Sequence, residues 1–135
     1  MGRILIFSEL FEIREIIAQD FAAEGHTVVA TGNPTVIRTL LTDLSPDMVL
    51  IDFHLTKINP WMMMRLVGNK FPGVLVLPFA SYTNREGDVR LVISHRDGGE
   101  NLSFQAFNQR MNILMNPNLS SHHGKSGEQR LSSEN

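Results

Sequence analysis

Pro46-Asp47-Met48-Val49-Leu50-Ile51-Asp52 is the stretch on which the reading of this chain turns. Four consecutive apolar residues after a Pro-Asp break suit a central strand of a parallel sheet, covered on both faces. The run closes on a carboxylate. In open parallel sheets, ligands and chemistry gather beyond the carboxyl ends of the strands. Asp52 is therefore a reactive group, a metal ligand or an acidic loop cap, and its surroundings must decide which.

Working outward, the chain alternates between two periods. Residues 3–7 read as a buried strand, and residues 10–24 as a helix with Leu10, Ile13, Ile17 and Phe21 on one face. Gly25 sits where a left-handed cap is favoured, and residues 26–31 form a β-branched strand. Asn33-Pro34 opens a second helix as cap and first position, with Val36, Ile37, Leu40, Leu41 and Leu44 as its stripe. Asn59-Pro60 repeats the device and predicts a helix to about Lys70 through Trp61, Met64, Leu66 and Val67. Residues 74–77 and 89–94 read as a fourth and a fifth strand. A last helix is predicted over 102–114, with Phe104, Phe107, Met111 and Leu114 inward. Strands alternating with helices at this spacing predict right-handed βαβ crossovers and a five-stranded parallel sheet in a three-layer α/β sandwich. The connection at 78–88 is too short for an ordinary crossover and has no apolar stripe, so its helix is expected to be shortened or missing.

The bulk numbers limit the function. At 135 residues, 42% hydrophobic and 19% charged, the chain suits one globular domain with a real core. A net charge of −2 gives no nucleic-acid footprint. The absence of cysteine excludes disulfides, thiolate chemistry and Cys-based zinc sites, and suits a reducing cytoplasm. No apolar run is long enough for a signal-peptide core or a membrane span. The expected location is cytoplasmic, with neither membrane nor nucleic acid as partner. Residues 1–116 are expected to form the domain, and 117–135 a disordered polar tail holding few apolar residues. His122-His123 lies in that tail, where a flexible His pair is a poor metal site. The Met62-Met63-Met64 run suits a core or an interface. No Gly-rich phosphate loop, Ser-His-Asp arrangement or Glu pair is present, so the chain is not expected to be an enzyme.

Laid out this way, the chain resembles the receiver domain of bacterial two-component response regulators, as an atypical or degenerate member. The resemblance covers about residues 3–115. It rests on the order of elements, on Arg3-Ile4-Leu5-Ile6-Phe7 followed by Ser8-Glu9, on Glu12-Ile13-Arg14, and on the segment ending at Asp52. It implies a flavodoxin-like fold, a phosphorelay role with Asp52 as phosphoacceptor, and a histidine kinase or other signalling protein as partner. It also implies Mg²⁺ at Glu9, Asp52 and the His54 backbone carbonyl, because phosphoryl transfer to a carboxylate needs charge neutralised.

The departures are equally specific. The acid pair reads Ser8-Glu9, and Ser8 is left to orient a coordinated water. The hydroxyl expected after the fourth strand is replaced by Pro78, leaving Ser81 as the nearest candidate phosphate contact. The expected lysine gives way to His95 and Arg96. An alternative follows: a pseudo-receiver that keeps the fold as a protein-interaction or dimerisation module, including a homodimer. With no output domain expected after the tail, output is by protein contact. In this family the helix between strands four and five forms much of the output face. Its truncation predicts an exposed apolar patch near the gap, serving a partner or a second copy. Asp52-Phe53-His54 also resembles the Asp-x-His start of cobalamin-binding domains, but Lys57 stands where that motif has glycine. A small-molecule-binding α/β domain is a third class, and would require an enclosed apolar pocket at the strand ends.

Overall fold

The computed structural model describes residues 2–95 and 98–115. Along the chain run β1 (Arg3–Phe7), α1 (Phe11–Ala23), β2 (Thr27–Thr31), a single 3₁₀ turn (Pro34–Val36), α2 (Ile37–Leu44) and β3 (Met48–Asp52). There follow α3 (Pro60–Lys70), β4 (Leu75–Thr83), β5 (Val89–His95), β6 (Gly98–Leu102) and α4 (Phe104–Met115). Six strands form one sheet in the order β2-β1-β3-β4-β5-β6. β1, β2, β3 and β4 are mutually parallel where they pair. Their direction follows from the helices that separate them in sequence, since a parallel neighbour requires a long crossover.

The expected five parallel strands are corrected at β5. It runs antiparallel to β4, and β6 antiparallel to β5. The apolar run at 75–77 does not stop at Pro78 but continues as strand to Thr83. That leaves five residues, 84–88, to reach β5, a length that only a hairpin can use. The turn is well built. Gly87 N–H donates to the Asn84 carbonyl at 3.0 Å, Asp88 N–H to Asn84 Oδ1 at 2.8 Å, and Gly87 holds φ at +88°. No helix separates β4 from β5. The sixth strand opens on two glycines and carries little β propensity. Leu102, expected to begin the last helix, ends β6 opposite Leu91.

Two cores sandwich the sheet. On one face, Ile4, Ile6, Met48, Leu50, Phe79, Leu91 and Ile93 meet Ile17 and Phe21 of α1 and Phe107 and Met111 of α4. On the other, Leu5, Phe7, Val49 and Ile51 meet Ile37 and Leu41 of α2 and Met63 and Val67 of α3. The two cores differ in reach. The first extends across to β5 and β6, whereas the second, among the described residues, stops at Val74 and Val76. One face of the hairpin is therefore left without a helix.

Several predicted inward residues are exposed instead. Trp61 is 63% exposed, and Leu10 and Leu114 also face outward. In α3 the buried stripe is Met63 and Val67, because the helix meets the sheet one residue out of phase with the Trp61–Met64 reading. Far from Asp52, buried His26 takes the Gly2 N–H on Nδ1 at 3.0 Å and meets Asn112 Oδ1 through Nε2 at 2.6 Å, tying α4 to the start of β1. Among the described residues no helix is long and apolar enough to cross a membrane. The tail from 117 onward, His122-His123 and Arg96 lie outside the described residues.

Candidate functional site

Asp52 closes β3, and the parallel ladder continues one step beyond it through the Phe53 N–H to the Phe79 carbonyl at 2.8 Å. The next N–H, of His54, turns back to Asp52 Oδ1 at 2.9 Å. An aspartate bonding its own backbone two residues on is the turn these side chains favour. The other oxygen, Oδ2, accepts the Ser8 hydroxyl proton at 2.7 Å. Ser8 is anchored in turn. Its N–H donates to the Thr31 carbonyl at 3.0 Å, and its Oγ accepts the Leu10 N–H at 3.2 Å. Gly32 lets the end of β2 come close here, since a Cβ there would lie 2.8 Å from the Ser8 carbonyl oxygen.

The result is a sealed carboxylate. Asp52 is 1% exposed and Ser8 is wholly buried. Both carboxylate oxygens hold an internal donor, and Phe79, opposite Asp52 in register, fills the neighbouring space with a buried ring against Phe107. An attacking carboxylate needs in-line access to its phosphoryl donor. Here the carboxylate is 1% exposed.

Glu9 serves a different loop. Its Oε2 accepts the Thr56 N–H at 3.0 Å and the Lys57 N–H at 2.8 Å, while Oε1 accepts the Thr56 hydroxyl at 2.7 Å. The Lys57 backbone bond, followed by the Thr56 hydroxyl bond, holds its carboxyl below the usual range. Glu9 thus clasps the loop after β3 to the loop after β1, a contact between residues 47 and 48 positions apart.

The magnesium that the receiver resemblance implies is tested by this donor set. Glu9 has turned both oxygens to Thr56 and Lys57, and Asp52 is sealed by Ser8 and His54. His54 meets Asp52 through its N–H, a donor that competes with metal ligation for the same carboxylate. Arg14 and Lys57 line the polar cleft beside Glu9, where two cations disfavour a third. Among the described residues, no group of three or more His, Asp or Glu is placed to hold a metal ion. As arranged, every carboxylate oxygen of Asp52 and Glu9 already accepts a hydrogen bond, so a cation would compete with those donors.

Two of the expected phosphate contacts, Ser81 and His95, are among the described residues and lie apart. Ser81 lies two residues past Phe79 and lines a separate shallow cleft with Leu10, Phe11, Ile13 and Tyr82. His95 was expected at the same sheet edge as Asp52. Because β5 runs antiparallel, with Ile93 beside Phe79, its end travels away from that edge. The residue that sequence reasoning undervalued is Ser8. Its position as the first polar residue after a buried strand was visible, but its bond across the sheet to Asp52 was not.

Parallel β1–β4 with helices on both faces and a buried acid ending β3 define a receiver-like α/β domain. The solved structures agree on the fold. The chain is similar to the signal receiver domain of a DNA-binding response regulator from Colwellia psychrerythraea 34H, with a TM-score of 0.56 and 16% identity, over 64% of this chain and 73% of that one. It is similar to a response regulator from Thermotoga maritima, with a TM-score of 0.54 and 16% identity, over 64% of this chain and 71% of that one. No family model and no curated protein matches the sequence.

Proposed function

We propose that this domain is a pseudo-receiver, a signalling fold that works by protein contact without accepting a phosphoryl group. The observation that carries the proposal is the sealed carboxylate: Asp52 is 1% exposed with Ser8 on one oxygen and the His54 N–H on the other. Two further features support it. Glu9 is committed to the 56–57 loop, and Phe79 occupies the register position beside Asp52. A switch needs a bistable element that phosphate can bias, and of the groups expected to read a phosphate, Ser81 lines a separate cleft and β5 carries His95 away from the Asp52 edge.

The second reading is phosphate acceptance at Asp52 from a histidine kinase, with Mg²⁺. It draws support from the position of the aspartate at the carboxyl end of β3 and from the likeness in fold. One assay separates the two. The chain and its Asp52→Ala variant are incubated with acetyl phosphate across a range of Mg²⁺ concentrations and weighed intact. Interaction without phosphorylation predicts no mass change in either. A phosphate-sized adduct that disappears in Asp52→Ala would establish the phosphorelay reading instead.

A further inference from the structure

The hairpin leaves a groove where the fold would otherwise carry a helix. Its floor is the uncovered face of β4 and β5, with Val76, Pro78, Ala80 and Val92. Its wall is α3 with Trp61 and Met64, and Phe53 stands edge-on to Trp61 with ring centroids 4.8 Å apart. The groove holds about 540 Å³, is open along its length and is almost wholly apolar in lining. Sheets in this class of fold bury both faces, and here the opposite face of the same strands is fully packed.

Charge at the rim selects the occupant. Arg65 follows Trp61 by one helical turn on α3, and Arg90 precedes Val92 by two residues on the same face of β5. Arg90 bonds only the Asn101 side chain and carbonyl, at 3.0 and 3.2 Å, and neither arginine has a carboxylate partner among the described residues. A second copy docked face to face would add its own Arg65 and Arg90 to the interface, while the groove lining supplies no carboxylate to meet them. Residues 117–135 hold only two large apolar residues, Leu119 and Leu131, too few for the i, i+3, i+4, i+7 stripe that such a groove takes. Gly68 continues the Trp61–Met64 stripe, and a Cβ there would meet nothing within 4 Å, so a backbone can approach closely.

We infer that the groove between α3 and the β4–β5 hairpin receives an amphipathic helix from a partner protein, apolar on one stripe and acidic on its flanks. The inference rests on reading the domain as an interaction module and names that module's partner. Helix-in-groove recognition of this kind is carried by apolar anchors at i, i+3, i+4 and i+7.

The test uses the full chain. A display library of random helical peptides about four turns long is selected against it. Binding is then measured through Trp61, the only tryptophan. Selected peptides should share an apolar stripe with Asp or Glu beside it and shift Trp61 emission to the blue. Arg65→Glu and Arg90→Glu should each weaken binding at least about tenfold. Gly68→Arg, at a site with open space that leaves folding intact, should abolish it. Four results would overturn the inference: no selected peptide; a basic or proline-rich extended consensus; binding indifferent to Gly68→Arg and Arg65→Glu; or a dimer in sedimentation that Trp61→Ala dissolves, which would give the face to a second copy. The mass assay on Asp52 reads independently. A phosphate adduct there would refute interaction without phosphorylation while leaving the peptide result as measured.

Discussion

Removing the Ser8 hydroxyl should cost far more than an ordinary Ser→Ala change. Ser8 Oγ makes two bonds, to Asp52 Oδ2 at 2.7 Å and from the Leu10 N–H at 3.2 Å. Ser8→Ala leaves a carboxylate oxygen in a site that is 1% exposed, and water cannot readily replace the donor. Hydrogen bonds to charged groups contribute about 1.5–3 kcal/mol, and an orphaned buried polar group costs about 1–3 kcal/mol. A loss of roughly 2–3 kcal/mol is expected, or on the order of 10 °C in Tm for a domain of this size. The control is Asp52→Asn. Its amide can accept from His54 and donate to Ser8 Oγ, which removes the buried charge but leaves the Ser8 hydroxyl proton without its acceptor, so the net change should be small, about 1 kcal/mol or less. In the Asp52→Asn background, Ser8→Ala should cost about 1 kcal/mol less than in the wild type, because no charge is left uncompensated. Urea denaturation of the four proteins measures the cycle. Additive effects, or a Ser8→Ala cost under about 0.5 kcal/mol, would show that Ser8 does not seal Asp52, and the pseudo-receiver reading would lose its main support.

Glu9→Gln should raise amide exchange at Thr56 and Lys57 while leaving the core protected, as expected for a clasp between two loops. Because folding lowers the Glu9 pKa, its stabilisation is complete above the unfolded value and fades as pH falls through the folded one. The difference in Tm between wild type and Glu9→Gln should shrink on acidification; a difference that grows would contradict the clasp. Gly87→Ala forces a Cβ onto a residue at φ +88°, and should cost roughly 1–2 kcal/mol by the left-handed penalty, read by thermal denaturation. Phe107→Ala should cost about 3–5 kcal/mol in urea, since the ring is buried against Phe79. Trp61→Ala should cost about 1 kcal/mol or less, and a larger value would mean that the groove wall is part of the core.

Much of the fold was legible because two periods carry it. Period-2 and continuous apolar runs marked β1 to β5, and the Asn33-Pro34 and Asn59-Pro60 caps marked where helical order begins. Both asparagines do cap, accepting the Thr35 N–H at 3.0 Å and the Trp61 N–H at 2.8 Å. The weak points were local as well. Pro78 looked like an end to β4, although the strand passes through it, and β6 is too rich in glycine to register as a strand at all. The site was legible only in its chemistry: Asp52, Ser8 and Glu9 were all in view, but their partners were not.

By itself the sequence determined the α/β class, the burial of β3, the acid at its end and the lack of room for a helix before β5. These follow from short-range sterics, hydrophobic periodicity and chain length, which neighbouring residues supply. Only the tertiary structure decided that β5 reverses, that Ser8 and His54 close over Asp52, that Glu9 clasps a loop 47 residues away, and that one face of the hairpin stays open. Those outcomes depend on contacts between segments far apart in the chain, where register and strand direction place each donor, and no local pattern encodes them.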